Sequence, residues 1–147
     1  MQKILVLLLF LFSLPLVNAD LVINEIMYNP QGADGGHEWI EIYNIGEEIN
    51  LEDYSFFEAN TPHGLNLAHG DDEIISDDEY IIIADNAETF LQDYEDFEGT
   101  ILDSSFSLLN TGEYISLRNS GGRIIDEVIY NNSWGNREGY SIELINP

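Results

Sequence analysis

The sequence predicts an all-β protein, a β-sandwich with one short helix, on three observations. About eight short apolar segments recur, with turn signals roughly every 10–15 residues. One segment alone shifts to the helical period. The 147 residues are 44% hydrophobic and 12% aromatic without a single cysteine, so apolar burial rather than disulfide bonding must hold the chain together. That length is the length of one domain.

Residues 21–28 read as a strand that Asn29 and Pro30 stop. Residues 31–36 hold three glycines and an aspartate, a loop signal. Residues 38–43 alternate. Ile40 and Ile42 fall on one face and Trp39, Glu41 and Tyr43 on the other, the pattern of a half-buried antiparallel strand. Residues 44–48 turn the chain, and 54–57 form a third strand. Residues 58–78 are polar and poorly periodic, which predicts a long excursion with one short strand at 73–75. Asp77, Asp78 and Glu79 then turn into Tyr80, Ile81, Ile82, Ile83 and Ala84, a run apolar enough to be a central strand.

Phe90, Leu91, Tyr94 and Phe97 share one face of a helix. Asp85 followed three residues later by Glu88 fits a capping box. Asp96 and Glu98 oppose the helix dipole at the other end, so packing must hold a short helix. Residues 114–118 and 123–130 flank Asn119, Ser120, Gly121 and Gly122, a hairpin turn by composition. Residues 140–144 are the last strand. There is no tandem repeat.

Several of these residues also follow a known pattern. Ile23-Asn24-Glu25-Ile26 is followed by Pro30 and then by Glu38-Trp39-Ile40-Glu41-Ile42-Tyr43-Asn44. Leu51, Tyr54 and Phe56 fit the next strand, and Tyr80 to Ala84 with Phe90 fit a strand and short helix. Leu109-Asn110-Thr111-Gly112, Ile115, Leu117, Gly122, Asp126, Tyr130, Trp134 and Gly139-Tyr140-Ser141-Ile142-Glu143 fit the end. The sequence thereby resembles the lamin-tail domain of secreted prokaryotic proteins, a module found also at the tail of nuclear lamins. The resemblance covers residues 20–145 and implies an immunoglobulin-like sandwich. It further implies a module that is not catalytic in itself, adhesive or accessory in role, and often carried beside hydrolases or nucleases. Three features depart from the pattern. Leu144 stands where a basic residue is usual, the excursion at 58–78 is long, and the sequence stops at Pro147. The last feature suggests a stand-alone module or one part of a longer chain.

Charge narrows the function classes. Four Lys and Arg face 28 Asp and Glu, a net charge of −24. Phosphate backbones and anionic membrane surfaces repel such a chain, so nucleic acid is not an expected partner. The absence of cysteine excludes a thiol nucleophile, a thiolate metal site and a lipid-modified cysteine. The hydrophobic content is too high for a disordered acidic tail.

The N-terminus reads as an export signal. Lys3 precedes an apolar run over residues 4–17, broken only by Ser13 and Pro15, and Val17 and Ala19 sit at −3 and −1 of a cleavage point. A bilayer span needs about 20 apolar residues, more than this run supplies. Residues 1–19 are therefore expected to be a signal peptide and 20–147 a secreted, extracytoplasmic domain with no membrane span.

The candidate site residues carry two readings. Asn24, Glu25, Glu38, Trp39, Glu41 and Asn44 form the family motif. The carboxylates either make a shared acidic site or hydrogen-bond loop amides while the asparagines tie turns. Asp71, Asp72, Glu73, Asp77 and Asp78, with Asp93, Glu95, Asp96 and Glu98, are hard oxygen donors on loops. They suit calcium better than a transition metal, or form a solvated acidic surface. His37, His63 and His69 read as exposed loop histidines, with no His-Glu-x-x-His pattern. No Gly-x-Ser-x-Gly or phosphate loop is present, and no catalytic residue is assigned. Asn131-Asn132-Ser133 is a glycosylation sequon. Trp39, Tyr43, Trp134 and Tyr140 read as core or strand-face aromatics more readily than as a sugar platform.

The expected function is a secreted, non-catalytic module that binds or adheres to an extracellular protein or glycan through its loops, above all 58–78. No cofactor is expected unless calcium. The alternatives are a calcium-stabilised version of the module and an accessory domain of a larger secreted hydrolase or nuclease.

Overall fold

The computed structural model describes residues 21–135, 137–145 and 147. The expected signal peptide lies outside the described residues. Among those described, no helix is long and apolar enough to cross a membrane.

Among the described residues there are twelve strands and one helix: β1 Leu21–Met27, β2 Trp39–Asn44, β3 Ile49–Asn50, β4 Tyr54–Glu58, β5 Thr61–His63, β6 Asn66–His69, β7 Ile74–Ile75, β8 Tyr80–Ala84, α1 Ala87–Asp93, β9 Thr100–Asp103, β10 Tyr114–Asn119, β11 Ile124–Ile129 and β12 Ile142–Glu143. A 3-10 turn, Leu51–Asp53, leads into β4. The large sheet runs β12-β1-β2-β8-β9-β6 and the small one β11-β10-β4-β5, with β3-β7 as a two-stranded ribbon. This is the all-β sandwich with one short helix that the sequence predicts.

The core lies between the two sheets. Ile23, Ile26, Ile40, Ile42, Ile81, Ile83 and Leu102 from the large sheet meet Phe56, Ile115 and Leu117 from the small one. The alternation in β2 places Ile40 and Ile42 in this core and turns Trp39 to the opposite face. There Trp39 packs with Met27, Ile82, Ala84, Ala87, Phe90 and Ile101 in a second cluster beneath α1. Residues 80–84 are apolar almost throughout because both faces of β8 are covered. β8 and β9 are parallel neighbours, with α1 as the crossover between them.

The structure corrects several expectations. Residues 58–78 are not an excursion with one strand. β5 extends the small sheet beside β4, and β6 closes the far edge of the large sheet beside β9. Both are short edge strands with polar or exposed positions, and β5 carries Pro62, which only an edge tolerates. β9 and β3 have no counterpart in the sequence reading. The helix cap is Asn86, whose side chain accepts from the Thr89 N–H at 2.9 Å. Asp85, the expected cap, instead accepts from the Gly36 N–H at 2.6 Å and so ties the 31–36 loop to the sheet. The final strand shrinks from 140–144 to Ile142–Glu143.

Candidate functional site

Glu38 precedes β2 and is 1% exposed. Its Oε2 accepts the Leu108 N–H at 3.0 Å. On either side, Glu58 Oε2 accepts from Ser107 N at 3.0 Å and Glu113 Oε1 accepts from Leu109 N at 2.6 Å. Three consecutive amides of the segment after β9 are therefore held by three carboxylates from distant parts of the chain. The Tyr130 hydroxyl completes the clasp, donating toward the Leu109 carbonyl and Glu113 Oε1 at 3.0 and 3.1 Å. Ring contacts at 5.0 Å join Tyr130 to Tyr28 and Phe106 to Phe56 below it.

The clasp is rich in acceptors. Glu38 Oε1, Glu113 Oε2 and Ser104 Oγ are buried without a hydrogen-bond partner. Burial pushes the Glu38 carboxyl up to about 8; the Leu108 N–H works against this, and the charges of Asp85, Asp34 and Glu58 work with it. A neutral Glu38 still accepts from Leu108 through its carbonyl oxygen. Burial likewise raises Asp85, against the Gly36 N–H, and Glu113, against the Leu109 N–H.

The other motif residues divide between two places. Asn44 is buried and used entirely on backbone. Its Nδ2 donates to the carbonyls of Glu47 and Ser76 at 2.9 Å each, and its Oδ1 accepts from Gly46 N at 3.1 Å. Trp39 donates its indole N–H to the Tyr94 hydroxyl at 3.2 Å and meets Phe90 edge-on. Asn24, Glu25 and Glu41 gather midway along β1 and β2. The register shifts between Ile23 and Glu25, so Asn24 occupies a bulge. Asn24 Nδ2 donates to Glu41 Oε1 at 2.7 Å, and the Ser141 hydroxyl donates to Glu25 Oε1. Glu25 lies opposite Glu41 on one side and Glu143 on the other. Burial raises the Glu41 carboxyl, the Asn24 amide opposes this, and Glu25 and Glu143 add to it.

The acidic loops are separated by the fold. Asp71 and Asp72 line an open depression of about 700 Å³ with His69, Glu79 and Glu98. Glu73, Asp77 and Asp78 do not line it. Asp72 Oδ1 caps the Ile74 N–H at 3.0 Å, Glu79 Oε2 caps Ser76 N at 2.8 Å, and Asp78 Oδ1 accepts the Tyr43 hydroxyl at 2.6 Å. Among the described residues no group of three or more His, Asp or Glu is gathered as a metal ion needs. Of the histidines, His37 pairs with Asp93 at 2.6 Å. His63, read as an exposed loop residue, is half-buried beside Phe56 and Phe106.

Glu58 and Glu113 are absent from the sequence-derived site. Glu113 directly follows Gly112 in the quoted Leu109-Asn110-Thr111-Gly112 segment, which is the only local signal for it. Asp126 accepts the Ile23 N–H at 2.7 Å and so joins β11 to β1 across the sandwich.

The family model described as Lamin Tail Domain matches residues 16–132 of the chain. The match begins within the residues read as the export signal and ends before β12. No curated protein matches the chain significantly.

Proposed function

Because this chain belongs to the lamin tail domain family, a non-catalytic immunoglobulin-like fold, we propose that it works outside the cytoplasm as a binding or adhesive module for an extracellular protein or glycan. The observation that carries the reading is the orientation of the motif side chains. Glu38 and Asn44 are buried and bond to backbone groups of their own chain. A motif used in this way builds a frame and leaves recognition to the surface. That surface is strongly acidic, which favours cationic or polyhydroxyl partners over nucleic acid.

Calcium ordering of the acidic loops is the second reading. Asp71, Asp72, Glu79 and Glu98 border one open depression but do not converge on a point, so calcium would have to draw them together.

The test is export and adhesion together. The full-length chain, produced in a secreting host, is expected outside the cytoplasm with Asp20 as its first residue by N-terminal sequencing. Beads carrying that exported chain are expected to adhere to cell-envelope preparations of the source organism and to let go as salt rises. Recovery in the cytoplasm with residues 1–19 intact overturns the secreted reading, and beads that never adhere overturn the adhesive one.

A further inference from the structure

The free edge of the large sheet combines two recesses. On the outer face, Glu25, Glu41 and Glu143 stand side by side on β1, β2 and β12, around an open recess of about 330 Å³ that Asn24, Tyr80 and Leu144 also line. Carboxylates placed opposite one another across strands repel, yet no arginine is ion-paired with them among the described residues. Arg118 lies over the Phe57 ring and bonds to Asn60, and Arg137 lies over Tyr140.

Asn24 supplies an independent observation. It is 5% exposed, and its Oδ1 is buried without any hydrogen-bond donor. The polar groups at the recess are therefore short of donors; the Asn24 amide and the Ser141 hydroxyl supply what there is. The Glu41 carboxyl, raised by burial and by its two acidic neighbours, records the same shortage. A bare metal ion is a poor answer, because the carboxylates do not converge on a point. A planar cation with several N–H donors suits them better. The exposed face of Tyr80, stacked on Tyr43 at 4.2 Å, can carry such a cation.

The second recess lies on the inner side of the same edge. It is apolar, about 60 Å³, lined by Ile26, Val128, Trp134 and Ile142, and it shares Asn24, Glu143 and Leu144 with the first. Trp134 is 58% exposed there. β12 is the last strand of its sheet. A strand laid beside it would send successive side chains to opposite faces.

We propose that this edge binds an extended segment of a partner protein, with an arginine among Glu25, Glu41 and Glu143 and the adjacent apolar residue against Trp134 and Val128. The inference rests on the reading of the chain as a binding module and names the chemistry of its partner. A second copy of the chain is disfavoured as occupant, since each copy carries the same large negative charge.

The probe is the peptide Ac-Arg-Val-Arg-Val-NH2, titrated into the exported, isotope-labelled chain at constant ionic strength. Saturable shifts of the Asn24 side-chain amide and the Trp134 indole N–H are expected. Glu143→Gln is expected to weaken binding about two- to fivefold, the worth of one half-exposed ion pair, without lowering the melting temperature. Replacing both arginines of the peptide by citrulline is expected to abolish the shifts. Equal binding of the citrulline peptide, equal shifts from NaCl alone, tighter saturation by Ca²⁺, or the same shifts on concentrating the protein by itself each overturn the proposal. Adhesion to cell envelopes that persists while the peptide fails sinks this inference alone. Loss of adhesion altogether sinks the module reading beneath it.

Discussion

Glu38 Oε2 and the Leu108 N–H meet at 3.0 Å across 70 residues of sequence. The bond fixes the segment after β9 against the start of β2, and Glu58 and Glu113 hold the amides on either side. A buried carboxylate in this position is costly when charged, because its other oxygen has no donor. Its proton is therefore part of the fold.

That coupling fixes a pH dependence. The folded-state value of Glu38, about 8, lies above its ordinary 4.5. The stability tied to its proton is fully present below pH 4.5 and is lost as pH rises through 8. Wild-type denaturant midpoints are expected to fall across that window. Glu38→Gln keeps an acceptor for Leu108 and removes the charge, so its curve should be flatter and should lie above wild type at pH 9. Glu38→Ala leaves the Leu108 amide unpaired and should cost about 1–3 kcal/mol at every pH. Parallel wild-type and Gln curves would mean that Glu38 stays ionised in the fold.

Gly112 tests the same region from the backbone side. Its φ is +106°, and an added Cβ would stand 2.5 Å from Asn131 Cα and closer still to the Tyr130 carbonyl oxygen. Neither backbone atom can give way without moving the clasp. Gly112→Ala should therefore cost about 3 kcal/mol or more, through both strain and overpacking. Gly122→Ala shares a positive φ of 76° but meets nothing within 4 Å. It should cost only about 1–2 kcal/mol, from the backbone conformation alone. Equal losses in the two variants, read by chemical denaturation, would remove the packing argument.

The β4–β5 hairpin offers a gain instead of a loss. Glu58 pairs with Thr61, leaving Ala59 and Asn60 as a two-residue loop with φ of 44° and 67°. Two positive φ values suit the turn that matches strand twist, but alanine tolerates its position poorly. Asn60 belongs there, and its Oδ1 also receives Arg118 at 3.0 Å. Ala59→Asn should raise stability by about 0.5–1 kcal/mol. Ala59→Val, a β-branched residue in the same place, should lower it. A thermal melt of the pair decides the matter, and matching shifts in both would show that the loop relaxes.

How much of this was legible depends on where each pattern is written. β2 announces itself because Ile40 and Ile42 alternate with Glu41, and β8 because Ile81, Ile82 and Ile83 are needed on both faces. β10 and β11 show themselves through the Asn119 to Gly122 turn between them. β6 and β9 escape because each is four residues long and gains its identity only by pairing, β6 with β9 and β9 with both β6 and β8. The site is less legible than the fold. Asn24, Glu38 and Glu41 stand out by motif, but nothing local tells the buried Glu38 from the half-buried Glu41. The difference comes from Leu108, 70 residues on, and from the helix and segment that close over one end of β2. Asp85 shows the same limit: its spacing to Glu88 fits a cap, yet a glycine amide 49 residues away takes it first.

The acidic loops pose a question of charge against coordination. Asp71, Asp72, Glu79 and Glu98 face one depression, but Asp72 and Glu79 already cap local amides, at 3.0 and 2.8 Å. Binding one ion through three of them would engage at least one carboxylate that already caps an amide, leaving that carboxylate its other oxygen for the ion. With so many acids on one chain, any cation also relieves general repulsion. The two effects separate by ion identity. Mg²⁺ and Ca²⁺ screen alike at equal ionic strength, whereas an irregular oxygen site of large coordination number favours Ca²⁺. The melting temperature is expected to rise equally with either ion over EDTA, and Asp72→Asn should reduce neither response by more than its single charge. A saturating rise confined to Ca²⁺ and lost in Asp72→Asn would transfer the acidic loops from solvated surface to ligand set. Calcium, not bulk charge, would then be what orders the loop between β6 and β7, because a ligand that binds only the native state shifts the midpoint by mass action.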